Sequence, residues 1–413
     1  MLSKISSTFA HKMLIMLANF FVVVLVSKQL GSEGRGEMSL FMSDFVLVLL
    51  FTGIMAGSAM SYFVPKKDVF TIGFVAYCWS VIVALLGVFV LHLFHPSAYT
   101  WWLLGAGLIQ SFNTVHQMIL VGKNRLLAYN VNTAIQPVLT LVYVVFYFQV
   151  LGQRSIGVFV EGFFYSSLVS YVVAVFQSRS FLGFTKSEAM LSAAQEMLRF
   201  GSGTYFSTIV QTINYRLSYY VLFWLGMSKA VGEMSNGVAL AEATWMISNS
   251  LSLVLYAHIL NSHDEKEQAM LTLRFSKLCF LLTSASLLVL WLVPSEVYVY
   301  VFGKDFTELK NYILILSPGV LLLGVSTVMA HYFSAKGYYK ENNIKSLIGL
   351  FSILPAMFLF IPWWGKNGAA IASSFSYAMS SGYLFYHYFK ITKTPLADLA
   401  KWGDLPEIWR RGK

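Results

Sequence analysis

The chain has 413 residues, of which 57% are hydrophobic and only 12% charged, and it carries a formal net charge of +10. Apolar residues spread over the whole length exclude a soluble globular domain, because no compact core could bury them all. The positive balance does not point to nucleic acid: the basic residues lie in short loops and at the C-terminus, where an anionic leaflet accounts for them.

In chain order, apolar runs bounded by charge, Gly and Pro predict spans over 10–29, 38–64, 70–94, 98–121, 129–151 and 156–177. After a polar stretch they resume over 202–226, 234–260, 274–294, 309–335, 341–362 and 367–390. Segments 70–94 and 278–295 carry no formal charge over the length a helix needs to cross hydrocarbon. Lys4 and Lys12 before the first run resemble a secretion signal, but no small-residue cleavage site follows, so the run reads as an uncleaved helix. Assigning loops to alternate sides puts most of the 29 Lys and Arg residues on the side of the N-terminus, which predicts that both termini are cytoplasmic. Tyr99, Trp101, Trp102, Trp291, Tyr298, Tyr300, Trp363 and Trp364 fall at expected span ends, as interfacial aromatics do. Cys78 and Cys279 lie in apolar runs, form no disulfide framework or metal cluster, and read as packing residues.

The expected fold is all-α, a polytopic membrane protein of about twelve helices. It divides into a six-helix half (1–178), an amphipathic cytoplasmic linker (179–200), a second six-helix half (201–390) and a cytoplasmic tail (391–413). Within the linker, 186–199 alternates Met190, Leu191, Met197 and Leu198 with Glu188, Gln195 and Glu196, the pattern of a helix lying on a membrane surface. Residues 395–411 have two readings, a second such helix or a disordered tail.

An internal repeat supports the division. Leu30-Gly31 and Gly36-Glu37-Met38-Ser39 return as Leu225-Gly226 and Gly232-Glu233-Met234-Ser235. His116, Gly122 and Arg125 return as His331, Gly337 and Lys340, and Gly152 and Gly157 as Gly365 and Gly368. The matches keep their order at nearly constant offset, so a six-helix unit is duplicated. Six is even, so both copies enter from the same side, and the expected arrangement is a parallel repeat around a central cavity.

The run Leu30-Gly31-Ser32-Glu33-Gly34-Arg35-Gly36, followed by Ser39-Leu40 and Gly53, resembles the turn after helix one of the Wzx-type polysaccharide flippases. Ile361-Pro362-Trp363-Trp364-Gly365 through Gly368-Ala369-Ala370 is similar to a late motif of the same family. The family belongs to the multidrug/oligosaccharidyl-lipid/polysaccharide exporter superfamily, which also holds the multidrug and toxin extruders and the lipid II flippases. The resemblance implies that fold and the transfer of an undecaprenyl-diphosphate-linked O-antigen, capsule or exopolysaccharide unit across a bacterial inner membrane. It also implies proton or sodium coupling in some members and work beside a polymerase and other glycan-assembly membrane proteins. No cofactor is implied.

Moving a lipid diphosphate through a bilayer requires a cation placed deep, and Arg216 reads as the only Arg or Lys well inside a span. Thr212, Tyr219 and Tyr220 share its helix and extend a polar face, while Gln211 and Asn214 on the same helix are amides suited to sugar hydroxyls or to helix packing. Two readings stand: a head-group ligand, or a structural arginine paired with an acid such as Glu242. Asp44, Glu161 and Glu242 are the intramembrane acids and the candidates for cation coupling, against interfacial acids solvated by head groups. His116 and His331, repeat-related, are candidate diphosphate ligands or packing residues. Asn113, with Gln110 and Asn249, suits sugar hydroxyls or helix packing. Pro137 and Pro355 interrupt corresponding spans.

The enzyme reading, a membrane polymerase or ligase for the same glycans, is not expected, because it would need a large outer loop carrying catalytic groups. The longest outer loop, 295–308, holds only Glu296, Lys304, Asp305 and Glu308 as charges, and there is no phosphate-binding Gly-Lys-Ser/Thr loop for ATP. A drug extruder of the same superfamily shares the duplicated plan, but its cargo is usually cationic, and a deep arginine opposes that.

Overall fold

A computed structural model describes residues 2–183, 189–262 and 264–401. The described residues are overwhelmingly helical, with no strand among them. The helices are α1 (Leu2–Ala56), α2 (Ser58–Phe63), α3 (Val69–Phe94), α4 (Thr100–Gly122), α5 (Leu126–Val145), α6 (Ile156–Ser178) and α7 (Met190–Trp224). They continue as α8 (Ser228–Ala243), α9 (Trp245–Asn261), α10 (Glu265–Leu292), α11 (Ser295–Phe302), α12 (Leu309–Ala335), α13 (Tyr339–Trp364) and α14 (Lys366–Thr392).

Among the described residues, eight helical segments are long and apolar enough to cross a membrane, and one of them, Ala10–Phe63, is 54 residues long, enough for two crossings. The helices α4, α7 and α14 complete the expected set although their composition is less apolar. They carry the buried amides, the arginine and the serines, so their low hydropathy marks polar faces turned away from lipid.

The chain forms two compact units, residues 1–209 with 301–303, and residues 210–300 with 304–413. The division falls inside α7, because its first turns pack in the first unit. Ala193 and Met197 join the core of Met55, Ala59, Met60 and Ile119, and Tyr205 covers Gly53 and Gly57. The amphipathic segment expected over 186–199 is thus continuous with α7 from Met190 onward; its residues 186–188 lie outside the described residues. Of the segment 395–411, residues 402–411 lie outside them too.

Within the first unit, α1, α4, α5 and α6 enclose a core in which Phe41, Phe45, Phe159 and Phe163 meet edge to face. Within the second, α12 is central, packing on α8, α9, α10 and α14, while α13 packs on α14. Its α14 seam is serine-lined: Ser218 meets Ser373 at 2.6 Å, Ser374 accepts from the Gly319 amide at 3.0 Å, and Ser376 donates to the Gly349 carbonyl at 2.7 Å. Lipid offers helices no hydrophobic drive toward one another, so small residues and hydroxyls make these contacts.

The repeat is visible in backbone geometry. Gly31 breaks α1 at φ 69°, and its counterpart Gly226 ends α7 at φ 74°. Gly152 and Gly365, the paired turns before α6 and α14, have φ 67° and 55°. Positive φ is costly for residues with a Cβ, which explains why both copies keep glycine there. Trp101, Tyr300 and Trp363 are exposed at helix ends, as interfacial anchors are. Cys279 packs as expected, 3.2 Å from the Ser248 hydroxyl, but Cys78 is exposed on α3 and is not a packing residue.

Candidate functional site

The polar face of α7 comes together with α8, α9 and α14 inside the second unit. Successive turns of α7 put Gln211, Tyr215 and Tyr219 on one side, with Arg216 beside them. The Arg216 guanidinium donates to the Tyr219 hydroxyl at 3.3 Å and lies 5.6 Å from the centre of its ring. The Gln211 amide donates to the Tyr215 hydroxyl. The ring of Tyr215 lies 5.3 Å from both Trp245 and Tyr377, and these two are 6.1 Å apart, which closes an aromatic triangle over the site.

Glu242 on α8 completes the group. Its carboxylate is buried, interacts electrostatically with Arg216 and Tyr377, and leaves Oε1 with no hydrogen-bond partner. Arg216 thus has a buried acid in its surroundings while its hydrogen bond goes to a phenol. A guanidinium keeps its charge and offers five donors in a planar fork. The arrangement can bind an oxyanion at the arginine and present ring faces and amides to a polar group beside it.

Asn214 turns to the other side of α7. Its Oδ1 accepts from Ser376 at 3.0 Å, and its amide faces Gly349 of α13, so it is committed to the helix seam. One turn before Gly349, Lys345 is 4% exposed, within the helix. Arg216 is therefore not the one cation deep in the helices, contrary to the expectation. Lys345, Gly349, Ile353 and Ala356 form a buried stripe at helical spacing, and that periodicity was the available signal. Lys277 of α10 is likewise buried, donating to the Lys401 carbonyl at 2.5 Å.

The remaining candidates lie on other helices. His331 lies on α12 with Nδ1 2.9 Å from the Thr327 carbonyl. In the first unit, His116 is buried with Nδ1 2.7 Å from the Ser178 hydroxyl and Nε2 2.5 Å from that of Tyr77. The Asn113 amide donates to Ser170 at 3.0 Å, and its Oδ1 has no partner. Glu161 is half-buried and accepts from Tyr143 at 3.4 Å.

Asp44 is 3% exposed, and His95, just past α3, brings Nδ1 to 3.1 Å from its carboxylate. Sequence reasoning missed His95, because a His-Pro pair after an apolar run is an ordinary helix end. Only the packing of α3 on α1 brings it to Asp44. Removing the imidazole in His95→Ala is expected to cost about 1.5–3 kcal/mol, the worth of a hydrogen bond to a charged group. A lowered thermal midpoint in detergent measures it, and an unchanged midpoint contradicts the pairing.

No family model matches the chain. Capsular polysaccharide biosynthesis protein CapF of Staphylococcus aureus is 28% identical over 186 residues, 44% of this chain and 47% of that protein. The chain thus matches about half the length of that relative. Lsg locus putative protein 1 of Haemophilus influenzae is 22% identical over 88% of this chain and 94% of its own length. Among solved structures, lipid II flippase MurJ in an inward closed conformation superposes with a TM-score of 0.75 at 18% identity, over 97% of this chain and 90% of that one. This chain has the fold of the MOP superfamily. A second MOP structure, an inward-facing multidrug resistance MATE family transporter, gives 0.70 at 15% identity over 94% of this chain and 96% of that one. At these identities the likeness is one of fold, and the solved structures that share it include a lipid II flippase and multidrug resistance transporters.

Proposed function

We propose that the protein flips a lipid-linked oligosaccharide, an undecaprenyl-diphosphate-linked O-antigen, capsule or exopolysaccharide unit, across a bacterial inner membrane by alternating access, with both termini in the cytoplasm. The observation that carries this reading is Arg216, a permanent cation among Tyr219, Gln211 and the Tyr215, Trp245 and Tyr377 rings, a setting suited to a diphosphate and to the sugar next to it. Holding a charge in the membrane is costly, and an anionic cargo offsets that cost on each cycle. The similarity to CapF, a capsular polysaccharide biosynthesis protein, supports the same cargo.

Coupling to protons or sodium is assigned to the buried acids, Glu242 beside the arginine and Asp44 beside His95. No catalytic step is required of the protein. Its partners in this reading are membrane lipid, the glycan carrier and the polymerase that receives the flipped unit.

Depletion in the native host tests the reading. Prenyl-diphosphate-linked oligosaccharide is expected to accumulate unpolymerised while sensitivity to cationic drugs stays unchanged. Drug hypersensitivity with normal glycan would assign the chain to the extruders instead.

A further inference from the structure

Two polar groups on neighbouring positions of α13 are buried without partners. Lys345, 4% exposed, makes no hydrogen bond, ion pair or cation–π contact with any described residue. One turn before it, the side-chain oxygen of Asn342 is buried and unbonded, although the amide of that residue donates to the Ala330 carbonyl at 3.1 Å and the Ser334 hydroxyl at 2.9 Å. Positions three apart on a helix are neighbours, so a cation and an acceptor stand side by side.

A counter-charge for Lys345 is available in the local sequence. Glu341 is four residues back, the spacing of a helical ion pair, yet it turns to α14, where it accepts from the Tyr383 hydroxyl at 2.6 Å with His387 Nδ1 3.2 Å from the same oxygen. Lys345 is left unneutralised. Buried polar groups that nothing satisfies cost the fold free energy, and such groups point to a ligand that satisfies them. The complement of this pair is an oxyanion with a hydroxyl beside it, the oxyanion for the ammonium and the hydroxyl for the amide oxygen. A sugar phosphate carries both.

We propose that Lys345 and Asn342 form a second anion site, which takes the phosphate and first sugar of the cargo before Arg216 does; this rests on the flippase reading. The position fits. Lys345 lies one turn from Gly349, against which the Asn214 amide of α7 packs, and Arg216 is two residues beyond Asn214. The two cations therefore flank one point of contact between α7 and α13, with Lys345 nearer the end of α13 that this reading puts in the cytoplasm, where cargo is loaded.

The test is binding to the purified full chain in detergent, by microscale thermophoresis, of farnesyl-diphosphate N-acetylglucosamine, farnesyl diphosphate, N-acetylglucosamine 1-phosphate and phosphatidylglycerol. The wild type is expected to bind the first about fivefold more tightly than the second, the worth of one added hydrogen bond. Lys345→Met should weaken both prenyl probes about thirtyfold, as truncating one partner of a buried charge pair does, and Asn342→Ala should remove only the preference for the sugar. Without probe, Lys345→Met should melt above the wild type, because it removes a buried charge that has no partner; a lysine that only packs would make the variant melt lower. Unchanged affinity of Lys345→Met for the prenyl probes overturns the proposal and leaves the flippase reading standing. Preferential, Lys345-dependent binding of phosphatidylglycerol overturns it too, making this a lipid site. Lys345-dependent binding of N-acetylglucosamine 1-phosphate alone upholds the sugar-phosphate site but overturns the cargo assignment, and with it the flippase reading. Binding of none of the four overturns both.

Discussion

Arg216→Ala is expected to abolish delivery of glycan to the cell surface while the protein still inserts and folds. The side chain is half-buried, donates a hydrogen bond to the Tyr219 hydroxyl and has the Glu242 carboxylate in its electrostatic surroundings. Its charge is what an anionic cargo would need. Truncating one partner of a desolvated, hydrogen-bonded charge pair costs about 3 kcal/mol, roughly a hundredfold in occupancy or rate. Arg216→Lys should retain part of the activity, because it keeps the charge but loses the planar fork that grips two oxygens. Surface glycan by immunoblot, normalised to membrane-inserted protein, reads both variants. Normal glycan in Arg216→Ala would remove the residue from the mechanism.

The largest structural effect is expected at Gly201. A Cβ built there would lie 1.8 Å from the Ile54 carbonyl oxygen, a backbone atom that no rotamer change can move. Gly201→Ala must therefore push α7 away from α1, opening the seam that Ala193, Met197 and Tyr205 help to close. The expected cost is about 3 kcal/mol, the upper part of the range for overpacking, with loss of the monodisperse peak on size-exclusion chromatography in detergent. Gly203, two residues on and facing away, meets nothing within 4 Å. Gly203→Ala should be neutral or stabilising by up to about 1 kcal/mol, the gain in helix propensity. Equal midpoints for the two variants would contradict the α1–α7 approach.

The amino-acid sequence alone determined the all-helical membrane class, and the expectation of twelve spans in two copies came from it as well. These are local properties: length and polarity specify a span, and the glycines of a positive-φ turn recur wherever the turn recurs. Gly31 with Gly226 and Gly152 with Gly365 kept their residue type because their backbone angles allow little else. Arg216, Asp44 and Glu242 were legible for a similar reason, since a charge inside an apolar run stands out.

What those charges face was decided only by tertiary structure. Tyr377 reaches Glu242 and Tyr215 from a helix more than a hundred residues away, and His95 meets Asp44 across 51 positions of sequence. No periodicity encodes such pairings; they follow from which helix faces dock. Docking also separated residues that share a helix, sending Asn214 into a serine seam and Gln211 toward the arginine's side. Lys345 went unnoticed for the same physical reason. A lysine near a span end normally extends to water, but this one is buried in α13, the helix that packs on α14.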